Sequence, residues 1–274
     1  MSSGMSSGAY DDICYEVDGH TATITLNRPH ALNALSPHMI TELRAAYDAA
    51  ESDNDVWLLI VTGTGRAFCT GADAKQIPED GKVINDNAYL STYEQWEAPQ
   101  EGTPPFRRMA KPVLAAINGI CCGAGLDWVT TGDIVIASDK ATFFDPHVSI
   151  GLVAGREMVR LARVLPRNVA LRMALTGKHE RMDAQRAYEL GMISEVVPDD
   201  RLLQRAHEIA DMVNSNAPLA VRGTRLAIHK TLDLPLHEGE ILAEAFRERN
   251  LHTEDSLEGP RAFVEKRAPV WKCR

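Results

Sequence analysis

The hydrophobic pattern opens with alternation. Residues 13–27 (ICYEVDGHTATITLN) set β-favouring residues at alternate positions around Asp18-Gly19, which predicts a hairpin of two strands closed by a tight turn. After Asn33 the period lengthens: Ser36 is placed to cap a helix whose apolar positions continue to about Ser52. WLLIVTG (57–63) is then an unbroken apolar run, as expected of a strand covered on both faces of a parallel sheet. The rhythm returns in PVLAAINGICCGAGLDWVTTGDIVIAS (112–138) as strand, glycine-rich turn, short helix and strand, with another short strand around Thr142–Phe144. Parallel strands joined by right-handed crossovers follow from this alternation.

Residues 76–105 break the pattern with Pro78, Gly81, Pro99, Gly102, Pro104 and Pro105, and are expected to form a mobile flap. Its Tyr89, Tyr93 and Trp96 either cover a ligand or pack the flap onto the body. Beyond residue 155 strands almost vanish, and amphipathic helices are predicted at about 156–165, 167–176, 183–190, 200–215, 218–231, 236–251 and 256–266. The expected organisation is a flexible tail (1–10), one α/β core (11–200) and a helical C-terminal region (201–274).

Composition narrows the partners. Twenty-nine Lys plus Arg against 38 Asp plus Glu give a net charge of −9, which argues against a nucleic-acid groove or an anionic membrane surface. No segment approaches the roughly 20 apolar residues of a membrane span, and residues 1–12 lack the basic and apolar regions of a secretory signal, so a cytoplasmic location is expected. Cys14, Cys69, Cys121, Cys122 and Cys273 show neither metal-ligand nor disulfide spacing; reduced, mostly buried thiols and no metal site are expected.

Two loops carry candidate chemistry. GTGRAFCTGADAK (63–75) and NGICCGAGLDW (118–128) each follow a buried strand and are rich in small residues, which lets backbone N–H groups approach a ligand. The second feeds a helix, whose dipole adds positive potential near Ala124.

These loops, with LNRPHALNALS (26–36), KPVLAAINGICCGAGLDWVTTGDIVIASDKATFF (111–144) and FVEKRAPVWK (263–272), resemble the crotonase (enoyl-CoA hydratase/isomerase) superfamily in order and across nearly the whole chain. The resemblance implies the crotonase (ClpP-like) fold: repeated ββα units in a spiral core, followed by a helical trimerisation region. It implies an acyl-CoA thioester substrate whose enolate oxygen is held by the backbone N–H groups of Ala72 and Ala124. Coenzyme A would arrive as part of that substrate, with no tightly bound cofactor. Arg28, Ala31, Leu32 and the loop from Arg66 through Ala72 to Asp73 match positions that line the CoA site. Phe263 and Lys266 match residues that a neighbouring subunit contributes, and a homotrimer or dimer of trimers is implied. Residues 260–274 carry five basic residues against one acidic, a plausible phosphate-binding end to which Lys272 adds, or else a basic helix end complementing its own dipole.

The chain departs from the family hydratases at the two glutamates that position water: Asp127 and His147 stand there instead. Asp is shorter by one methylene, roughly 1.5 Å of reach, and Asp127 can alternatively cap its own helix. Family dienoyl-CoA isomerases share an Asp there, but their further acid falls at Gly155. Asp145 and His147 lie two apart, so in an extended segment they would share a face, with Asp145 holding His147 in one tautomer and raising its basicity. Some family C–C hydrolases of β-diketones carry a similar pair. The leading reading is a hydratase-type lyase; the alternatives are an isomerase or retro-Claisen hydrolase, or a catalytically silent acyl-CoA binder. His20, His38 and His229 read as surface, and Arg156 and Glu157 as acyl-pocket lining or a helix-surface ion pair.

Overall fold

The computed structural model describes residues 10–73 and 109–274, so the expected flap and tail lie outside the described residues, except for Tyr10 of the tail. Strands β1 (Ile13–Asp18) and β2 (Thr21–Leu26) pair antiparallel, and Asp18 still faces Thr21 in the ladder. The turn is therefore Gly19-His20, one residue later than expected, with Gly19 supplying the positive φ of +55°.

β2 continues in parallel to β3 (Leu58–Gly63), then β5 (Val113–Ile117), β7 (Ile134–Ser138) and β10 (Glu195–Val197), giving a six-stranded sheet in the order β1-β2-β3-β5-β7-β10. Strand periodicity divides its core in two. Leu59, Val61, Ala115 and Ile117 face a cluster with Met39, Leu43 and Ala46 of α1 (Pro37–Ser52). Leu58, Ile60, Leu114 and Ala116 face the other side, against Leu202, Ala206, Ile209 and Ala210 of α6 (Leu202–Asn214). Both faces are dry, which is why these strands read as unbroken apolar runs; each buried Leu or Ile contributes about 1.5–3 kcal/mol relative to exposure. Ser36 caps α1 by accepting the Met39 N–H, as its position predicts.

A second sheet, β4-β6-β8-β9, is made of β4 (Ala67–Cys69), β6 (Ile120–Cys122), β8 (Thr142–Phe144) and β9 (Met182–Asp183), the first three parallel. Each turn of the chain thus gives one strand to the large sheet and the next to the small one: β3 then β4, β5 then β6, β7 then β8. Helix α2 (Leu126–Thr131) follows β6, and α3 (Arg156–Val164) and α4 (Arg167–Thr176) follow β8. This is the expected spiral of ββα units. β4 was not anticipated inside the 63–75 loop, nor β6 inside the 118–128 loop, nor β9 and β10, because strands of two or three residues show no period of their own; only β8 among the short strands was expected.

Helices α5 (Ala184–Glu189), α7 (Pro218–Thr231), α8 (Leu236–Leu251) and α9 (Glu254–Glu265) complete the described chain. α7 docks onto the core through charge. Arg225 Nε lies 2.7 Å and His229 Nε2 2.6 Å from Asp133, which also accepts the Val113 N–H. His229 is therefore a partner of a mostly buried acid rather than a free surface residue. Burial opposes ionisation of Asp133, but hydrogen bonds from His229 and Arg225 and the arginine charge hold its carboxyl below the ordinary 3.8. Such a group stabilises the fold above its unfolded value, and the contribution disappears as pH falls through the lower folded value. Asp133→Ala, which strands Arg225, is expected to lower unfolding free energy by about 3 kcal/mol at pH 7 in urea titration, and to flatten the acid-induced loss of stability below pH 4. No helix among the described residues is long and apolar enough to cross a membrane.

Candidate active site

The small sheet positions the site, because β4, β6 and β8 run parallel and deliver three loops at the same edge. The first is 70–73. Leu35 N–H donates to Gly71 O, and Asp73 N–H donates to Leu35 O. Ala72 lies between, so strand alternation turns its N–H away from Leu35.

The second loop, Gly123–Gly125, closes onto the first. A β-carbon on Gly71, whose φ is +87°, would stand 3.1 Å from Ala124 N. A β-carbon on Gly123 would stand 3.6 Å from Gly71 Cα, 3.8 Å from Pro146 Cδ and 3.9 Å from His147 Cε1. The positive φ of both residues (+87° and +54°) and the tight contact at Gly71 favour glycine, and the approach brings the Gly71 and Gly123 backbones beside the imidazole of the third loop. Buried Asn33 braces the base of the site by donating to Thr64 O and Ala67 O and accepting the Arg28 N–H.

In the third loop Asp145 and His147 meet, but not through an extended segment. Pro146 is helical and His147 opens a 3-10 turn, so Asp145 folds under its neighbour: Oδ1 accepts the His147 backbone N–H at 2.9 Å, and the carboxylate lies 2.9 and 3.0 Å from Nδ1. Asp145 is fully buried. The carboxylate places the ring proton on Nδ1 and leaves Nε2 as the proton acceptor. The hydrogen bond that the ring donates to Asp145 raises the His147 pKa above 6.5; burial opposes this, while the charges of Asp145 and Glu157 add to it.

Asp127 does not cap its helix; its buried carboxylate pairs with Arg160 of α3. This arginine lies 33 residues away, beyond the reach of local pattern. Arg28 is also committed internally, bonding Ala34 O at 2.6 Å and Asp73 at 3.0 Å. Ala31 and Leu32 sit beside them in a turn where Leu32 takes a left-handed φ of 54°, and Arg66 is exposed. Phe263 and Lys266 lie exposed at the end of α9, far along the chain from the three loops.

The basic C-terminus is largely neutralised. Arg267 pairs with Glu258 and Glu265, and both Lys272 and Arg274 pair with Glu254. The tail itself is clasped by buried Asp255, which accepts the N–H groups of Lys272 and Cys273. Burial pushes the Cys69 and Cys122 thiols up to about 12 and raises Cys121 as well, which fits packing rather than nucleophilic roles. Asp11, His38 and Glu42 bring ligand atoms within 4.8 Å of one another. Both Glu42 oxygens, however, accept backbone N–H groups of Asp11 and Asp12, so the cluster ties β1 to α1.

The family profile described as enoyl-CoA hydratase/isomerase matches residues 16–274. The chain belongs to the enoyl-CoA hydratase/isomerase family. This is an enzyme family acting on CoA thioesters, and its crotonase fold is the one described above. The chain is 35% identical to enoyl-CoA hydratase EchA19 of Mycobacterium tuberculosis, over 96% of this chain and 97% of that protein. It is also 35% identical to the (E)-benzylidenesuccinyl-CoA hydratase of Thauera aromatica, over 95% and 98% respectively. A solved enoyl-CoA hydratase/isomerase from Mycobacterium paratuberculosis is 80% identical, with a TM-score of 0.91, over 97% of this chain and all of that one.

Proposed function

We propose that the protein is an enoyl-CoA hydratase-type lyase in which His147, held by Asp145, is the proton-transfer group. The observation that carries this is the approach of His147 Cε1 to the closed pair of glycine loops. The thioester oxygen of a trans-2-enoyl-CoA would accept from the Ala72 and Ala124 N–H groups. As water oxygen bonds the β-carbon, one water proton passes to His147 Nε2 and the π electrons move to the thioester oxygen. That proton then goes from Nε2 to the α-carbon, restoring neutral His147 and completing the addition of one water. Asp127, paired with Arg160, would act as a hydrogen-bond acceptor near this centre.

The reading needs no cofactor beyond the CoA carried by the substrate. Arg28, Ala31, Leu32, Arg66, Ala72 and Asp73 would shape the CoA groove, with Phe263 and Lys266 supplied from a neighbouring subunit. Self-association as a homotrimer or dimer of trimers through residues 201–274 fits the exposed Leu236, Ile241, Leu257, Phe263 and Val264 of α8 and α9. A cytoplasmic location completes the reading.

The test is turnover of crotonyl-CoA and of a longer trans-2-enoyl-CoA, followed by loss of the conjugated-enone absorbance. Hydration is expected. A moved double bond or a cleaved carbon skeleton would instead assign isomerase or retro-Claisen chemistry to the Asp145–His147 pair, and CoA binding without turnover would assign a silent binder.

A further inference from the structure

We infer that Arg160 is a positioning residue for Asp127, aiming its carboxylate at the attacking water and cancelling its charge beside the proposed oxyanion hole; this rests on the hydratase reading. Gly125 and Leu126 take right-handed helical angles, so the 3-10 turn of Gly123–Gly125 runs straight into α2. Asp127 is three residues past Ala124 and shares its helix face. Helical side chains lean toward the N-terminus of their helix, so the Asp127 carboxylate overlies the turn that carries the Ala124 N–H. That side chain is only 3% exposed, and the Arg160 side chain, reaching it from α3, only 18%. Among the described residues Asp127 is the only acid with which Arg160 pairs.

A staple between α2 and α3 is the plainer account of this pair, but α2 is already anchored. Trp128 Nε1 donates to Tyr47 Oη at 3.0 Å, the Trp128 ring meets Phe68 edge-on, and Leu126 and Val129 are buried. Taking two charges out of water is also a costly way to join helices that an apolar contact would hold as well. The proposed chemistry gives the pair a use. Addition of water places negative charge on the thioester oxygen between the Ala72 and Ala124 N–H groups. An unpaired carboxylate one turn away would repel that charge, with little water to screen it. The guanidinium removes the repulsion, and its grip on Asp127 Oδ1 fixes the rotamer. His147 Nε2 takes one proton of the water; Asp127 accepts a hydrogen bond from the other, which stays in the new hydroxyl, so the acid gains no net proton.

Arg160→Met removes the charge at similar length and leaves Asp127 unpaired. The expected result is a fall of about 100-fold in kcat for crotonyl-CoA, with KM within about threefold. Arg160→Lys, which keeps a point charge but loses the planar fork, should recover part of it. The deciding variant is D127N/R160M: with the carboxylate charge gone as well, kcat should rise about tenfold above Arg160→Met, to the level of Asp127→Asn alone. Bound acetoacetyl-CoA, whose enolate absorbs in the near ultraviolet, gives a second readout; its enolate fraction should fall in Arg160→Met and return in D127N/R160M. A staple would move melting curves and leave both readouts unchanged. A kcat within threefold of wild type in Arg160→Met, or losses that simply multiply in D127N/R160M, overturns the inference. Should Arg160→Met fail to fold, equal kcat in Asp127→Asn and D127N/R160M upholds it, and a further loss in the latter overturns it. If the wild type hydrates no enoyl-CoA, the hydratase reading fails on its own. The enolate band then decides the place of Arg160: no band in the wild type, or one that Arg160→Met leaves unchanged, overturns it.

Discussion

His147→Ala is expected to lower kcat for crotonyl-CoA hydration by about a thousandfold while KM stays close to wild type, since the ring is proposed to transfer protons rather than to anchor CoA. In the proposed step neutral imidazole is the base, so activity should rise with pH through the His147 titration, and the hydrogen bond that the ring donates to Asp145 sets that rise above pH 6.5. Asp145→Asn should move the rise to lower pH and slow the plateau, because the ring loses both its charge partner and its fixed tautomer. The stability contribution runs in the opposite direction. A raised folded pKa favours the native state most below the ordinary histidine value, and that benefit fades as pH climbs through the raised one. A pH–rate profile of kcat/KM for the wild type and both variants checks this; hydration by His147→Ala within tenfold of wild type would remove the imidazole from the chemistry.

Gly71→Ala should cost nearly as much activity for a different reason. Its new methyl would sit 3.1 Å from Ala124 N, where the substrate oxygen is proposed to dock, and its φ of +87° is unfavourable for any L side chain. Loss of an oxyanion donor slows such reactions by about 10²–10³-fold, and the backbone strain adds about 1–2 kcal/mol of instability. Gly19→Ala separates the two effects: φ there is +55°, and nothing lies within 4 Å of the added carbon. It should lose stability and keep its rate. Steady-state kinetics alongside thermal melts of the two variants decide the point; equal rates in both would mean the Gly71–Ala124 approach does not bear on catalysis.

The fold was legible where the pattern runs long. α1, with its Ser36 cap, and the buried strands β3, β5 and β7 follow from period and capping alone. β4, β6, β9 and β10 did not, because two or three residues define no period. In the site, the local pairing of Asp145 with His147 was readable from their spacing, although Pro146 achieves it by a turn rather than by an extended chain. The partners of Asp127 and Asp133 were not readable. Arg160 and Arg225 reach them from helices that tertiary packing alone brings near, 33 and 92 residues along the chain. The basic count of residues 260–274 likewise misled, since Glu254 and Glu258 lie just outside that window and cancel much of it.

Alternate assignment of successive strands to two sheets divides labour within each ββα unit. The large sheet is sealed between two apolar layers, whereas the small sheet packs Cys69, Cys121 and Phe143 into one of those layers and ends in three loops that carry the polar groups Asp127, Asp145 and His147. The polar groups that follow Cys122 and Phe144 thus stand at the ends of strands, outside the layer that packs Leu58 and Leu114 against α6.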